Sequence, residues 1–374
     1  MVEIREVKTK REQREFVDFP LKLYKGNPYF VPPLYGDELK LFRSDYPYYD
    51  CCEAVYFNAY ENGKMVGRIS GILQKTANEL ENAKRVRFTR FDSIDSIEVA
   101  KALFTAVEQW AKSIGMDTVC GPLGFSDLER EGLLVEGFDE LSTFEEQYNF
   151  EYYGKLIEAC GYEKEVDWLE SKLYLPDLED ADKLIKTTDF ILKRNKLHFG
   201  ESKNIRDFIN KYADDMFSLL DRSYQHLYGT VPLTDKTKKM LIESFMLIVD
   251  NKHVGVVLNE DNEVVCFGIC FPSLAKAVQK CNGKLNPISL IRLLYAIKHP
   301  KVIDLALVGV DPAYANKGIG SAIIANVMRM LRDEGIEYAE TNLNLETNYN
   351  ILNQWKRFKQ VQHKRRRSYV KTIE

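Results

Sequence analysis

A short segment between residues 302 and 321 combines residue types that suit the binding of a phosphate group. Its apolar strand pattern ends at Val310, and Gly318 and Gly320 follow in a tight turn. Glycines let backbone N–H groups approach a ligand closely. The helix that we predict to start there offers unpaired N–H groups and the positive end of its dipole, and Lys317 adds a cation.

The spacing of these glycines excludes two well-known phosphate loops. The pattern G-x-x-x-x-G-K-[ST] is absent, and G-x-G-x-x-G fails because Ile323 stands where the third glycine is required. The glycines alone leave two interpretations equally open. One is a phosphate site, and the other is close packing of a helix on a sheet.

The wider segment resembles the acyl-CoA pyrophosphate loop of the GNAT superfamily of N-acyltransferases. The motif of that family is Gln/Arg-x-x-Gly-x-Gly/Ala, and this chain has Ala315-Asn-Lys-Gly318-Ile-Gly320. Ala315 departs from the motif, so one side-chain contact to the cofactor is lost. The later stretch 346–348, between a strand and a short helix, also resembles the family, and the resemblance covers residues 203–372.

The resemblance implies acetyl-CoA, or another acyl-CoA, as co-substrate. In the family, the end of the fourth strand pairs with pantetheine and polarises the thioester carbonyl, while the loop holds the pyrophosphate. Carried over by position, the cofactor-binding residues are Val308, Gly309, Val310, Asn316, Lys317, Gly318, Ile319, Gly320, Ser321 and Asn348. We expect Gly309 to mark a β-bulge that separates this strand from its neighbour.

Acyl transfer to an amine needs a base that removes the amine proton. Asp304 interrupts the apolar strand and lies by period two on the face of Val308, roughly 13 Å away at ~3.3 Å per residue. Some family members have a glutamate base at this position. The alternative is an inert structural aspartate. Glu346, after the next strand, is a second candidate base.

The thiolate that leaves can take a proton from an acid. The acid of the family is a tyrosine in the helix after the fifth strand, and its position falls here on Trp355, which cannot protonate a thiolate. Tyr349, Tyr224 and Tyr228 are available instead. A thiol with a pKa near 8.5 also leaves reasonably well without help.

These candidates lie in the second of two similar halves, each with the predicted order βα–βββ–αβ–αβ. We expect an α/β fold of two GNAT-like (acyl-CoA N-acyltransferase) domains, each a mixed central sheet flanked by helices. The predicted domains are 1–180, a degenerate copy without the pyrophosphate loop, and 190–374, which binds acyl-CoA. We predict a linker near residues 176–188 because this stretch is acidic and has no long apolar run.

The first half lacks the loop. At the matching junction, residues 89–96 hold no glycine and carry Asp92 and Asp95, which would repel a pyrophosphate. The chain thus resembles bacterial tandem-GNAT proteins in which the C-terminal copy alone keeps the loop. Aromatic and glycine-rich stretches at 132–138 and 148–153 suit a wall on the acceptor side, with ordinary packing and turns as the alternative.

Composition limits the partners. The 374 residues include 52 Lys and Arg and 56 Asp and Glu, for a formal charge of −4, which gives no overall drive toward nucleic acid or an anionic membrane. Five histidines without ligand spacing predict no metal. Seven cysteines without a C-x-x-C pair, and no apolar stretch of eighteen residues, favour a cytoplasmic location. The basic run at 364–367 is interpreted as a solvated strand end, with a contact to the CoA 3′-phosphate or to nucleic acid as alternatives.

The sequence therefore favours an acyl-CoA-dependent N-acyltransferase that moves an acetyl group to a small-molecule or peptide amine by direct transfer in a ternary complex. We expect the acceptor between the two halves, and neither a membrane nor a nucleic-acid partner. Two alternatives stay open. One is a non-catalytic acyl-CoA-binding protein, and the other is an aminoacyl-tRNA-dependent peptidyl-type transferase.

Overall fold

The computed structural model describes residues 1–373. Glu374 and the side chain of Asn316, one of the predicted cofactor ligands, lie outside the described residues. The elements of the first half follow the predicted order, with two short helices and one short strand added. Its strands are β1 (Glu3–Glu6), β2 (Cys52–Glu61), β3 (Lys64–Gln74), β4 (Arg85–Ser93), β5 (Thr118–Gly121), β6 (Leu133–Glu136) and β7 (Glu163–Tyr174). Its helices are α1 (Lys10–Leu23), α2 (Tyr35–Lys40), α3 (Lys75–Glu81), α4 (Ile97–Ser113) and α5 (Tyr152–Ala159).

The second half repeats this order after one additional helix, α6 (Leu178–Arg194). Its strands are β8 (His198–Phe199), β9 (Val254–Leu258), β10 (Val264–Pro272), β11 (Val302–Val310), β12 (Tyr338–Thr341), β13 (Asn344–Leu345) and β14 (Lys359–Thr372). Its helices are α7 (Ile205–Tyr224), α8 (Asp235–Ile248), α9 (Ala275–Lys280), α10 (Pro287–Lys298), α11 (Ser321–Asp333) and α12 (Tyr349–Trp355). None of the helices among residues 1–373 is long and apolar enough to cross a lipid bilayer.

The predicted linker is wrong, because α6 occupies that stretch. The helix buries Ala181, Ile185, Thr188 and Leu192, whose spacing of four, three and four residues forms one helical face. The acidic residues that suggested a linker lie in its first turn, where they favour the helix dipole. Helix α6 also packs against α11.

The strands of both halves form one sheet, in the order β1-β2-β3-β4-β5-β14-β7-β12-β11-β10-β9-β8. The last strand of each half pairs with the other half. Strand β14, from the end of the chain, lies between β5 and β7, and β7 pairs in turn with β12. The α/β fold with a mixed sheet in each half is confirmed. The boundary between residues 180 and 190 stays a prediction, and strands pair across it.

Buried ion pairs hold β14 at the centre of the sheet. Lys364 Nζ lies 2.5 Å from Glu340 Oε1 and 3.4 Å from Glu170 Oε2. Arg366 Nε lies 2.6 Å from Glu170 Oε1, and the side chains of both cations are fully buried. The interpretation of 364–367 as a solvated strand end is therefore wrong, because two of its four cations pair with carboxylates inside the sheet.

A bulge separates β11 from β12. Ile269 of β10 faces Leu307, but the next residue, Cys270, faces Leu305, so Ala306 is an extra residue in β11. Strand β12 pairs with β11 as far as Leu305, which leaves the rest of β11 with a free edge. The bulge lies at Ala306, so the expectation of a bulge at Gly309 is wrong.

Gly309 has a packing role instead. A Cβ atom there would lie 2.3 Å from a ring carbon of Phe267, which faces it across the β10–β11 pair. The Phe267 ring is buried. Glycine at position 309 therefore makes room for a core aromatic residue.

The first half has a bulge at the matching place. Arg68 of β3 faces Asp92, while Ser70 faces Thr89, so β4 holds one extra residue between them. Arg90 within this stretch has φ +52°, in the left-handed region that a non-glycine residue rarely adopts. The recurrence of the bulge in both fourth strands supports the duplication inferred from the order of elements.

Substitution Lys364→Met is expected to destabilise the protein by about 3–5 kcal/mol, because it removes the buried ammonium group that pairs with the carboxylates of Glu340 and Glu170. The matched control is Lys359→Met on the same strand, where the lysine pairs with Asp177 in solvent. It should cost less than about 1 kcal/mol. Chemical denaturation measures both, and equal costs for the two variants would contradict a structural role for the buried pairs.

Substitution Gly309→Ala is expected to cost about 1–3 kcal/mol through overpacking against Phe267. Gly255→Ala in β9 is the control, since the nearest atom to its Cβ, Asn326 Nδ2, lies 3.8 Å away. Thermal unfolding of both variants checks the difference. A variant at 309 as stable as the one at 255 would show that a Cβ fits beside Phe267 and that packing does not require glycine there.

Candidate functional site

The end of α7 lies along the free edge of β11. Tyr224 donates a hydrogen bond from its hydroxyl to the carbonyl oxygen of Val308, and Ser223 donates one to that of Val310, each at 3.1 Å. The N–H and C=O groups of one strand residue point to the same side. The N–H groups of Val308 and Val310 therefore face this same edge, where they can act as donors to a ligand.

The glycine loop follows directly. A 3₁₀ turn spans Pro312–Lys317, and Gly318 ends it with φ +74°, a conformation that favours glycine. A Cβ at Gly320 would meet nothing closer than a Val310 methyl carbon at 3.9 Å, so its backbone is accessible. Helix α11 begins at Ser321 and directs its N-terminal end at the loop.

Two neighbours define the surroundings of the loop. Ile319, between the two glycines, is fully buried and anchors the loop in the core. Lys317 is exposed, with its Nζ 4.3 Å from the centre of the Tyr314 ring. The loop thus combines a fixed backbone with an exposed cation beside a helix N-terminus, which is the arrangement that binds phosphate.

A cavity of about 700 Å³ connects this loop with the first half of the chain. The second half contributes apolar, amide and tyrosine side chains together with the loop. They include Tyr224, Tyr228, Val308, Gly318, Gly320, Asn344 and Asn348. The first half contributes mostly charged residues, including Glu38, Arg90, Asp127, Arg130, Glu131, Glu145 and Glu146.

Four carboxyl groups make the wall from the first half acidic. Burial raises the pKa of Asp127 to about 6 and those of Glu145 and Glu146 to about 8, and it raises that of Glu131 well above its usual value. One oxygen each of Glu131 and Glu146 has no hydrogen-bond partner among the described residues. Raised pKa values mean that the wall disfavours further negative charge and would be stabilised by a bound cation.

The nearby cations are already engaged. Arg90 Nε lies 3.2 Å from Glu38 Oε2. Arg130 donates to the backbone carbonyls of Phe144 and Glu145, at 3.2 Å each. The acidic wall, defined here as Asp127, Glu131, Glu145 and Glu146, therefore keeps an excess of carboxyl groups facing the cavity.

Asp304 lies deeper than the sequence suggested. It is buried beside Glu340 in the neighbouring strand and is not among the described residues that line the cavity. Burial and the negative charge of Glu340 raise the pKa of Asp304 well above its usual value. Burial would also raise the pKa of Glu340, but Lys364 and His363 hold it at about 2.

The other predicted catalytic residues lie away from the cavity. Glu346 pairs with Lys164 at 2.8 Å and with Arg365 at 3.6 Å, and Tyr349 is 68% exposed. Neither is among the described residues that line the cavity. The structure therefore brings together the loop, Asn348 and the end of β11, but not Glu346 or Tyr349.

Asn348 and Trp355 frame one end of the cavity. Asn348 caps α12, accepting a hydrogen bond from the N–H of Ile351 at 3.4 Å. Trp355 is buried and donates from its indole N–H to Asn344 Oδ1 at 3.1 Å. At the position of the family's acid, this chain thus has a residue that orients an amide on the cavity wall.

Sequence reasoning missed the acidic wall. Its residues lie between β5 and α5, in residues 122–151, where the four residues of β6 are the only strand and periodicity carries no information. The available signals were the acidic pair 145–146 and the alternating charges at 129–131, beside the glycine-rich stretch interpreted as an acceptor-side wall. Nothing local indicates that these carboxyl groups are buried.

Comparison with known proteins agrees with this geometry. Residues 213–350 match the model of the acetyltransferase (GNAT) family. The chain is 27% identical to "Protein YghO" of Escherichia coli, over 99% of this chain and 95% of that protein. It is 26% identical to "Bacterial ceramide synthase" of Caulobacter vibrioides, over 87% of this chain and 85% of that protein.

Solved structures show the same fold over the whole chain. A tandem GNAT protein from the clavulanic acid biosynthesis pathway superposes with a TM-score of 0.58 at 12% identity, covering 100% of this chain and 98% of that one. A GCN5-related N-acetyltransferase from Sphaerobacter thermophilus gives 0.53 at 10% identity, covering 100% and 96%. Residues 213–350 therefore match the GNAT acetyltransferase family, and the whole chain has the fold of tandem GNAT proteins.

Proposed function

We propose that this protein is an acyl-CoA-dependent acyltransferase whose acceptor is an amine. The family of its second half supports acyl transfer as the reaction class. The observation that carries the proposal is the single cavity that joins the glycine loop, the free edge of β11 and the acidic wall. These three parts match the three groups that the reaction must bind.

The loop is the site for the phosphates of the co-substrate. Its accessible backbone at Gly320, the N-terminus of α11 and the exposed Lys317 together suit a pyrophosphate. Ala315, where the family has Gln or Arg, also lines the cavity and contributes no polar contact. Binding therefore depends on the backbone of the loop more than on side chains.

The free edge of β11 is the site for the pantetheine arm and the thioester. The N–H groups of Val308 and Val310 are available to the thioester oxygen, where negative charge develops during the transfer. The Tyr224 hydroxyl lies at the same edge. Burial raises the pKa of Tyr224 to about 12, and the charge of Asp127 adds to this effect. The hydroxyl thus stays protonated at neutral pH, and once it rotates away from the Val308 carbonyl it can give its proton to the leaving thiolate.

The acidic wall is the site for the amine. Asp127, with a pKa of about 6, is ionised at neutral pH and lies near Tyr224, whose pKa its charge raises. We assign it the role of base. It takes a proton from the amine, the new C–N bond forms, and the C–S bond breaks as the thiolate receives a proton from Tyr224. Asp304 and Glu346 stay candidate bases by position.

Direct transfer fits the cysteines better than an acyl-enzyme. Cys266 and Cys270 lie on β10, next to β11, and burial raises the pKa of each to about 12. A thiol with such a pKa is a poor nucleophile. Neither is among the described residues that line the cavity.

Acetyl-CoA is the simplest co-substrate, and one observation favours a longer acyl group as a second candidate. A smaller cavity of about 70 Å³, lined entirely by apolar side chains of α7, α8 and neighbouring strands, adjoins the main one. The two share Leu128, Phe245 and Leu307. Ceramides are amides of fatty acids, and the relative named bacterial ceramide synthase supports the same extension.

Binding of the co-substrate is expected to raise the melting temperature of the wild-type protein and not that of Gly318→Glu. A ligand at ~100 times its dissociation constant stabilises by ~2.7 kcal/mol. Gly335→Glu is the matched control, because Gly335 has a similar φ of +69° and open surroundings away from the loop. Thermal melts with acetyl-CoA, long-chain acyl-CoA and free CoA distinguish the acyl lengths.

The other outcomes of these melts distinguish the acyltransferase from the two alternative functions. No shift with any CoA species would mean that the glycines are structural and would end the proposal. A shift without turnover across an amine screen would favour the non-catalytic binding protein. A salt-sensitive shift with aminoacyl-tRNA instead would favour the peptidyl-type transferase.

Substitution Asp127→Asn is expected to lower kcat by about 10²–10⁴-fold, the usual contribution of a general base. For the wild-type enzyme, kcat should rise with pH through about 6 and then level off, because the base acts when deprotonated, and this limb should vanish in the variant. Asp304→Asn and Glu346→Gln are compared in the same assay. A pH limb that survives in Asp127→Asn but disappears in one of these would move the role of base to that residue.

A further inference from the structure

Helix α10 is apolar on the face that it turns to solvent. The helix begins at Pro287 behind a regular cap, where Asn286 Oδ1 accepts from the N–H of Ser289 at 2.9 Å. Ser289 and Leu293 are its buried residues. Its large exposed side chains, between 48% and 68% accessible, are Ile288, Leu290, Ile291, Leu294 and Tyr295.

Such a face is unusual on a surface helix. On the helical wheel, the exposed apolar residues occupy the side opposite Ser289 and Leu293, where polar residues are expected. Leu285, just before the helix, adds a further exposed side chain at 59%. A contiguous apolar patch on this scale indicates a surface that binds something.

The segment that carries this face has charges of one sign only. Residues 264–303 contain six Lys or Arg residues and no Asp or Glu, in a chain whose formal charge is −4. The six cations are all exposed, and none forms an ion pair within residues 1–373, namely Lys276, Lys280, Lys284, Arg292, Lys298 and Lys301. A partner for this face must therefore accept apolar side chains and many positive charges together.

We propose that α10 and its flanking cations, hereafter the basic apolar face, dock this protein on the surface of an anionic lipid bilayer. Exposed Ile, Leu and Tyr side chains would enter the boundary between headgroups and acyl chains, while Lys and Arg meet the anionic headgroups. This is peripheral binding, in which the helix lies in the plane of the surface. It is independent of the acyl transfer proposed above.

A second copy of this chain fits the face less well. A twofold dimer would place the same patch of both copies together and would bring the six cations of one copy close to the six of the other. Like charges at such an interface cost binding energy. A lipid surface supplies the opposite charge.

The buried side of α10 packs against residues that line the main cavity. Leu293, on the buried side of α10, belongs to one cluster with Leu34 and Phe144. Both of these residues also line the main cavity. A bilayer bound to the exposed face would thus be separated from the cavity wall by α10 itself and one layer of side chains.

Cosedimentation of the full chain with vesicles tests the proposal. The protein should bind vesicles of equal parts phosphatidylcholine and phosphatidylglycerol, bind pure phosphatidylcholine much more weakly, and be released by salt. Lys280→Gln/Arg292→Gln/Lys298→Gln should weaken binding about a hundredfold, at about fivefold per cation. Ile288→Ser/Ile291→Ser/Tyr295→Ser should weaken it by more than about tenfold.

Matched triple variants elsewhere on the surface are the controls. Lys64→Gln/Lys84→Gln/Lys112→Gln removes the same charge, and Leu80→Ser/Leu178→Ser/Phe190→Ser removes exposed apolar side chains, all far from α10 in sequence. In a buffer whose salt screens the change in net charge, each control variant should bind the vesicles within about twofold of wild type. Equal melting temperatures of all variants would show that folding is preserved.

Two results would overturn the proposal. One is no binding to the anionic vesicles, or binding that the control variants weaken as much as the α10 variants. The other is a dimer in light scattering that the apolar α10 variant dissociates, which would make a second copy the occupant of the basic apolar face.

Discussion

The pairing of β14 with β5 and β7 is the constraint on which the rest of the molecule depends. Strand β7 of the first half is joined to strands β1–β5 through β14, the fourteen-residue strand at the end of the chain, which lies between β5 and β7. Strand β7 pairs in turn with β12 of the second half. Lys364 and Arg366 pair with carboxylates of Glu170 and Glu340 inside this junction. Because the exchange joins both halves by backbone hydrogen bonds, the walls of the cavity keep a fixed relation to one another.

The two similar halves contribute different parts of the cavity. In the second half, the junction of the fourth strand and following helix carries the glycine loop. In the first half, the matching strand ends at a buried ion pair, with Arg68 Nε 2.8 Å from Asp92 Oδ2. Tyr24 and Tyr153 donate hydrogen bonds to the same carboxylate, so this junction is occupied by the protein itself. What the first half offers to the cavity is its acidic wall.

Both halves have a β-bulge in the fourth strand, and the two bulges have different roles. The bulge at Ala306 frees the edge of β11 for donors that face the cavity, and α7 lies along that edge. The corresponding bulge in β4 places Arg90 beside Glu38, where both side chains line the cavity. An extra residue in a strand redirects the side chains that follow, which is why bulges recur beside binding sites. The site proposed here is therefore a product of two irregular strands as much as of the loop.

Local patterns in the sequence determined the elements and the loop. The apolar strand pattern predicted to end at Val310 is β11, which ends there, and the tight turn predicted at Gly318 adopts φ +74°. These features depend on backbone conformation and on residues close in the chain. The tertiary structure alone decided the strand exchange and the burial of the acidic wall. The partners of Lys364 lie 24 and 194 residues away, and no local pattern reports whether a charged residue will meet its counterion in solvent or inside a sheet.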